Sequence, residues 1–150
     1  MLYQCVLCVS VRINIYIAID GDNTGKRLEK YILSEDLAGV REFSNQITRA
    51  VQSIESLIRE KGGEIFILGG DNILAYVKDE CINYIIRSVN EVNTGGNYSF
   101  SVGLGSTLKD VYLALKYSKS VTPGSVTTAV SDHGKVIFKS TGINEGDIIK

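Results

Sequence analysis

From Asp36 to Lys61 the apolar residues Leu37, Val40, Phe43, Ile47, Ala50, Val51, Ile54, Leu57 and Ile58 recur at intervals of three and four. That spacing predicts a long amphipathic helix with charged residues on its outer side, stopped by Gly62-Gly63. On either side lie apolar runs too short and too β-branched to continue the pattern. Ile13-Asn14-Ile15-Tyr16-Ile17-Ala18-Ile19 reads as a buried strand before the helix. Ile65-Phe66-Ile67-Leu68 and Ile73-Leu74-Ala75-Tyr76-Val77 read as two strands after it. Their connection, Gly69-Gly70-Asp71-Asn72, is a tight hairpin whose glycines are expected to supply positive φ.

The rest of the chain repeats the scheme. Residues 26–35 are polar and mixed, a short helix or a loop. Ile82, Ile85, Ile86, Val89 and Val92 trace a second helix, closed by Asn93-Thr94-Gly95-Gly96. Tyr98 to Leu104 alternates as a strand. Thr107, with Asp110 three residues on, has the spacing of a helix cap. The helix it opens carries Leu108, Val111, Leu115 and Lys119, and Pro123-Gly124 ends it. Two short β segments, Ser125–Val130 and Lys135–Phe138, finish the chain around Asp132-His133-Gly134, and His133 is expected on the surface. The fold class is therefore α+β: a ferredoxin-like β-α-β-β-α-β core, an antiparallel sheet with helices on one face, plus a C-terminal helix and hairpin.

At 150 residues with 44% apolar and 22% charged content, this is one domain, residues 1–150, able to bury its own core. Residues 1–11 are either an extra edge strand or sequence upstream of the fold. The net charge of −1 gives no general basic excess, so direct nucleic-acid binding is not expected. No segment has the ~18–20 continuous apolar residues of a membrane span. The three cysteines, Cys5, Cys8 and Cys81, are read as reduced thiols of a cytoplasmic protein. Cys5-x-x-Cys8 is half of a zinc pattern, and only His133 remains to help complete it.

Two acidic turns carry the chemistry. Asp20-Gly21-Asp22-Asn23-Thr24-Gly25-Lys26 closes the first strand, and Asp71 sits at the hairpin tip. In the expected topology those two points lie at one end of neighbouring strands. Each turn alone is an ordinary connection. Together they bring Asp20 and Asp71 close, and paired carboxylates repel unless a cation lies between them. Mg²⁺, or Mn²⁺ in its place, takes one or two carboxylates plus substrate phosphate oxygens. Gly21 and Gly25 let backbone N–H groups approach phosphate. Two readings stand for Asp22, metal support or turn cap, and two for Lys26, phosphate contact or solvated surface. Lys119 falls on the sheet-facing stripe of its helix and needs a partner there, for which a triphosphate serves. Lys109 and Lys116 fall off that stripe and are expected in solvent.

With these residues placed, the chain resembles palm-domain nucleotide cyclases and polymerases. The likeness extends to GGDEF diguanylate cyclases and the polymerase subunit of type III CRISPR systems, and is strongest to the minimal CRISPR polymerases (mCpol). It spans Arg12 to Val126 through Ile17-Ala18-Ile19-Asp20-Gly21-Asp22-Asn23, Leu68-Gly69-Gly70-Asp71-Asn72, Ser99-Phe100-Ser101-Val102-Gly103 and Ala114-Leu115-Lys116-Tyr117-Ser118-Lys119. The resemblance implies that Asp20, Asp71 and the Gly21 carbonyl hold metal. It places Gly21, Asp22, Asn23, Thr24, Gly25, Gly70 and Lys119 around the nucleotide. It further implies conversion of ATP to a cyclic dinucleotide of the cyclic di-AMP type, with pyrophosphate released, in anti-phage signalling read by a separate effector. A small palm holds one triphosphate, so two facing palms, a homodimer, are expected. Asn72 departs from the pattern, standing where related palms carry a second acid. It keeps open a nucleotide-binding sensor without catalysis, beside a purine nucleotide hydrolase resembling palm-type GTP cyclohydrolase.

Overall fold

The structure, a computed structural model, describes residues 13–142. The readings made for residues 1–11 and for Cys5 and Cys8 lie outside the described residues. In chain order the elements are β1 (Asn14–Gly21), α1 (Thr24–Leu33), α2 (Leu37–Glu60), β2 (Glu64–Leu68), β3 (Asn72–Lys78), α3 (Ile82–Gly95), β4 (Phe100–Gly105), α4 (Leu108–Val121), β5 (Ser125–Asp132) and β6 (Lys135–Gly142). The strands form one sheet in the order β2-β3-β1-β4-β5-β6.

β1 runs through the middle, antiparallel to β3 on one side and to β4 on the other. This is the expected antiparallel core. β5 then joins β4 in parallel, because α4 carries the chain back across the sheet before β5 begins. The trailing hairpin is thus a continuation of the main sheet. Of residues 26–35, whose composition allows helix or loop, 26–33 belong to α1, and Ser34 and Glu35 form the turn that follows it. The Gly69-Gly70 turn does not use positive φ. A Cβ at Gly69 would meet the end of the Asn72 side chain, which would have to turn aside.

Strand alternation divides the sheet into two faces. Ile17, Ile19, Ile73, Ala75, Phe100, Val102 and Leu104 point toward α2 and α3, where Ile47, Ile54, Ile58, Ile85 and Val89 meet them in one buried cluster. Each Ile, Leu, Val or Phe among them contributes about 1.5–3 kcal/mol by leaving water. α2 and α3 fill that face, with Leu28 and Tyr31 of α1 packed against the same cluster. α4 lies on the other one, so the expectation of helices on one face covers the core repeat and not the C-terminal helix.

Two glycines let α4 press against the sheet. A Cβ at Gly103 would stand 2.5 Å from the Leu115 nitrogen and 2.6 Å from the Val111 oxygen, and one at Gly105 would be 2.5 Å from the Val111 nitrogen. Those are backbone atoms and cannot yield. The start of α4 is fixed by Thr107, whose Oγ1 accepts a hydrogen bond from the Asp110 N–H at 3.1 Å. Loss of this cap in Thr107→Ala is expected to cost about 1 kcal/mol. A thermal melt checks it: a domain of this size should lose about 2–4 °C.

Candidate active site

The site forms where β1 ends. Asp20 is the last side chain of β1 on the α4 face and pairs in register with Asn72 of β3. The next residue, Gly21, donates its N–H to the Asp71 carbonyl at 2.9 Å. A Cβ built on Gly21 would lie 2.8 Å from Thr24 Cγ2 and 3.2 Å from Asp71 Oδ2. A glycine at this position leaves room for the Thr24 methyl first and then for the Asp71 carboxylate beside it. Asp20 and Asp71 reach this point from opposite faces of the sheet, with Gly21 between them. Thr24, buried, donates its hydroxyl to Asp71 Oδ2 and holds that carboxylate still.

Lys119 comes from α4 to the same place. Its Nζ lies 2.7 Å from Asp20 Oδ2 and 2.8 Å from the Gly21 carbonyl oxygen. Asp22 Oδ1 is farther, at 4.0 Å. The stripe that carries Lys119 inward centres on Val111, Ala114 and Ser118, while Leu108 lies at its exposed margin. Lys109 and Lys116 face solvent as their helical positions imply.

Asp22 has a different task. Its two carboxylate oxygens accept from Ser99 Oγ and Ser101 Oγ, both at 2.7 Å, and its N–H donates to the Ser99 carbonyl at 2.9 Å. Ser101 Oγ in turn accepts from the Gly124 N–H at 2.9 Å. The Asp20 turn is thus pinned to β4 and to the end of α4. Between metal support and turn anchor, this geometry favours the anchor. The two serines escaped the sequence reading, although their spacing of two on a strand puts them on one face.

α1 begins at this turn without a side-chain cap. Its N-cap residue, Asn23, has φ 57 and ψ 24, and the first turn carries no acid. Asparagine tolerates that left-handed conformation better than most residues. The first amides of α1 accordingly face outward without side-chain acceptors, and with the helix dipole they favour an anion. Lys26 is exposed beside them. Arg27 is held by the Asn97 carbonyl and lies over the Phe43 ring, 5.1 Å from its centroid. Asn23, Lys26 and Arg27 share with Asp22 and Tyr98 a basin of about 580 Å³.

A second cavity, about 270 Å³, opens between α1 and α2, lined by Thr24, Gly25, Leu28, Ser44, Ile47, Thr48, Gly70 and Asp71. It brings three of the expected nucleotide residues, Thr24, Gly25 and Gly70, beside Asp71. Ser44 and Thr48, one helical turn apart on α2, were missed because their spacing reads equally well as an ordinary polar flank. His133 is 96% exposed, far from use as a ligand.

Among the described residues no three His, Cys, Asp or Glu side chains gather as a metal cluster. The oxygen set here is smaller: two carboxylates and one carbonyl. It nonetheless suits a divalent cation, because Asp20 and the Gly21 carbonyl already share one cation, the Lys119 ammonium. Mg²⁺ takes the remainder of its coordination from phosphate and water. Among the described residues no helix is long and apolar enough to cross a membrane.

Solved structures share this architecture. The guanylyl cyclase Cya2 aligns with a TM-score of 0.58 at 14% identity, covering 91% of this chain and 95% of its own. The GGEEF domain of a diguanylate cyclase from Vibrio cholerae aligns at 0.61 and 11% identity, covering 79% and 84%. The GGDEF domain of DgcB from Caulobacter crescentus, solved with c-di-GMP, aligns at 0.55 and 16%, covering 77% of each chain. At such identities the likeness establishes the palm fold of these cyclases. No curated protein matches the chain. The model of the minimal CRISPR polymerase domain, mCpol, matches residues 16–129. That span holds every residue of the site, from Asp20 to Lys119, and the chain belongs to the mCpol family.

Proposed function

We propose that this protein is a metal-dependent nucleotidyltransferase that converts ATP to a cyclic dinucleotide and releases pyrophosphate. The observation that carries this reading is the Lys119 ammonium held jointly by Asp20 and the Gly21 carbonyl, with Asp71 on the other side of Gly21. Beside it lies the uncapped start of α1, where a triphosphate finds backbone donors. A purine fits the cleft between α1 and α2, its faces against Leu28 and Ile47 and its edge within reach of the Ser44 and Thr48 hydroxyls. Mg²⁺ or Mn²⁺, when bound, supplies positive charge to the attacked phosphate and the departing pyrophosphate.

The chain's own residues do the positioning. Asp71, fixed by Thr24, and Asp20 set the negative end of the site. Lys119 turns from Asp20 to the phosphates as they arrive, giving the triphosphate a point charge. Asp22 keeps the phosphate loop rigid through its two serine hydroxyls, so little reorganisation remains for the reaction itself. The working unit is a homodimer, because ring closure needs a second attack and one palm grips one triphosphate. Family membership supports a role in anti-phage defence, with a separate effector reading the product.

The test is incubation of the pure protein with each nucleoside triphosphate and Mg²⁺ or Mn²⁺, products resolved by mass spectrometry. A phosphatase-resistant cyclic dinucleotide from ATP, with pyrophosphate, is expected. Metal-dependent binding of ATP that stays intact would replace the enzyme with a nucleotide sensor.

A further inference from the structure

Asn72 and Asp71 are neighbours in sequence but open onto different cavities. Asp71 lines the cleft between α1 and α2. Asn72 follows the alternation of β3 to the other face, beside Leu74 and across from Asp20. There a groove of about 390 Å³ runs between the β2–β3 hairpin and α4. Ile67 and Leu74 form one wall, Leu108 and Tyr112 the other, and Asp20 and Asn72 stand at its polar end. Leu108 and Tyr112 are 55% and 59% exposed, although they border a site of charged residues. The pair Asp20 and Asp71 is therefore flanked by two cavities, one on each face of the sheet.

A transfer between two nucleotides needs a donor on one side of the carboxylates and an acceptor on the other. We infer that the groove binds the acceptor nucleoside, its base against Leu74 and Tyr112 and its ribose at Asp20 and Asn72. This rests on the nucleotidyltransferase reading above. The size and lining match a small-ligand site, largely apolar with a few polar groups at one end. An aromatic ring beside aliphatic side chains is a stacking platform for bases. A neutral amide at Asn72 offers both a donor and an acceptor to a sugar hydroxyl or base edge. A carboxylate in its place would add negative charge where a second nucleotide arrives.

In the step this implies, an acceptor ribose hydroxyl oxygen forms a bond to the donor's α-phosphorus. The bond from that phosphorus to the β-phosphate oxygen breaks, and pyrophosphate leaves with the electron pair. The hydroxyl proton passes to water. Ring closure follows once the linear intermediate, which keeps the acceptor's triphosphate, seats that triphosphate on the loop of the facing palm. The first donor's free ribose hydroxyl then attacks its α-phosphorus, and a second pyrophosphate leaves.

Methyl NMR of the full chain separates the two cavities by residue. Adenosine, which has no triphosphate for the loop, is expected to shift the methyls of Leu74 and of Leu115, which also lines the groove, with guanosine, cytidine and uridine as comparisons. A non-cleavable ATP analogue with Mg²⁺ should shift Leu28 in the other cleft. Tyr112→Ala should abolish the Leu74 and Leu115 response to adenosine, keep the Leu28 response to the analogue, and lower turnover about tenfold or more. Tyr112→Phe, which keeps the ring, should restore both. The inference falls if nucleosides shift only Leu28, or if Tyr112→Ala leaves the groove response intact. It falls as well if the groove methyls follow protein concentration instead of nucleoside, which would assign the face to a second copy of the chain. Cyclic product with a silent groove would sink this inference alone. A responding groove without product from any nucleotide would sink the nucleotidyltransferase reading and keep the site.

Discussion

Asp71→Ala is expected to lower nucleotidyl transfer by on the order of 10³-fold or more while the protein stays folded. The size follows from where the charge sits. Asp71 lies beside Gly21, and among the described residues no other acid is placed to substitute, since Asp22 is engaged by Ser99 and Ser101. The Asn72 amide cannot substitute either, because it points to the other face and carries no charge. Structural damage should be small. The substitution orphans the buried Thr24 hydroxyl, which costs about 1–3 kcal/mol. Asp71→Asn keeps an acceptor for Thr24 and removes only the charge, so it should recover stability and not activity. Pyrophosphate release and a thermal melt, run on both variants, check this. Wild-type rates in either variant would remove Asp71 from the chemistry.

The parts of this architecture written in local pattern were open to reading from the sequence. The α2 period, the Thr107 cap and the apolar runs on either side of the acidic turns are each decided within a few residues. What escaped was decided by distant contacts. That α4 occupies the opposite face depends on Gly103 and Gly105, whose missing side chains matter only once Val111 and Leu115 lie over them. The parallel pairing of β5 follows from that placement. Asp22 looked equally like a ligand or a cap because its partners, Ser99 and Ser101, are far along the chain. Asn72 stands where related palms carry a second acid, and the alternation of β3, which sets it on the other face from Asp71, shows only in the strand pairing. Lys119 was legible, since its helical stripe fixed a direction, but its two acceptors were not.

Those acceptors lead to a second expected result. Lys119→Gln should bind Mn²⁺ more tightly than the wild type without nucleotide, yet bind ATP more weakly with it. In the wild type the ammonium occupies Asp20 Oδ2 and the Gly21 carbonyl, two of the oxygens a metal needs, so metal entry must displace it. The pair is partly exposed, with 29% and 28% of the two side chains open to solvent, and its worth is modest. Removing it should raise nucleotide-free Mn²⁺ affinity by about two- to fivefold. The opposite effect appears with ATP, because the displaced ammonium is the cation that meets the phosphates. Losing a hydrogen bond between charged groups should weaken ATP binding by about 10- to 100-fold. Lys119→Arg keeps the charge but replaces a compact ammonium with a planar fork, and should recover only part of the ATP affinity. Titration of Mn²⁺ by electron paramagnetic resonance, with and without ATP, reads both effects in one variant. A lysine that merely braced α4 against the sheet would leave nucleotide-free metal affinity unchanged, so opposite signs for metal and ATP are the signature of one cation taking over from another.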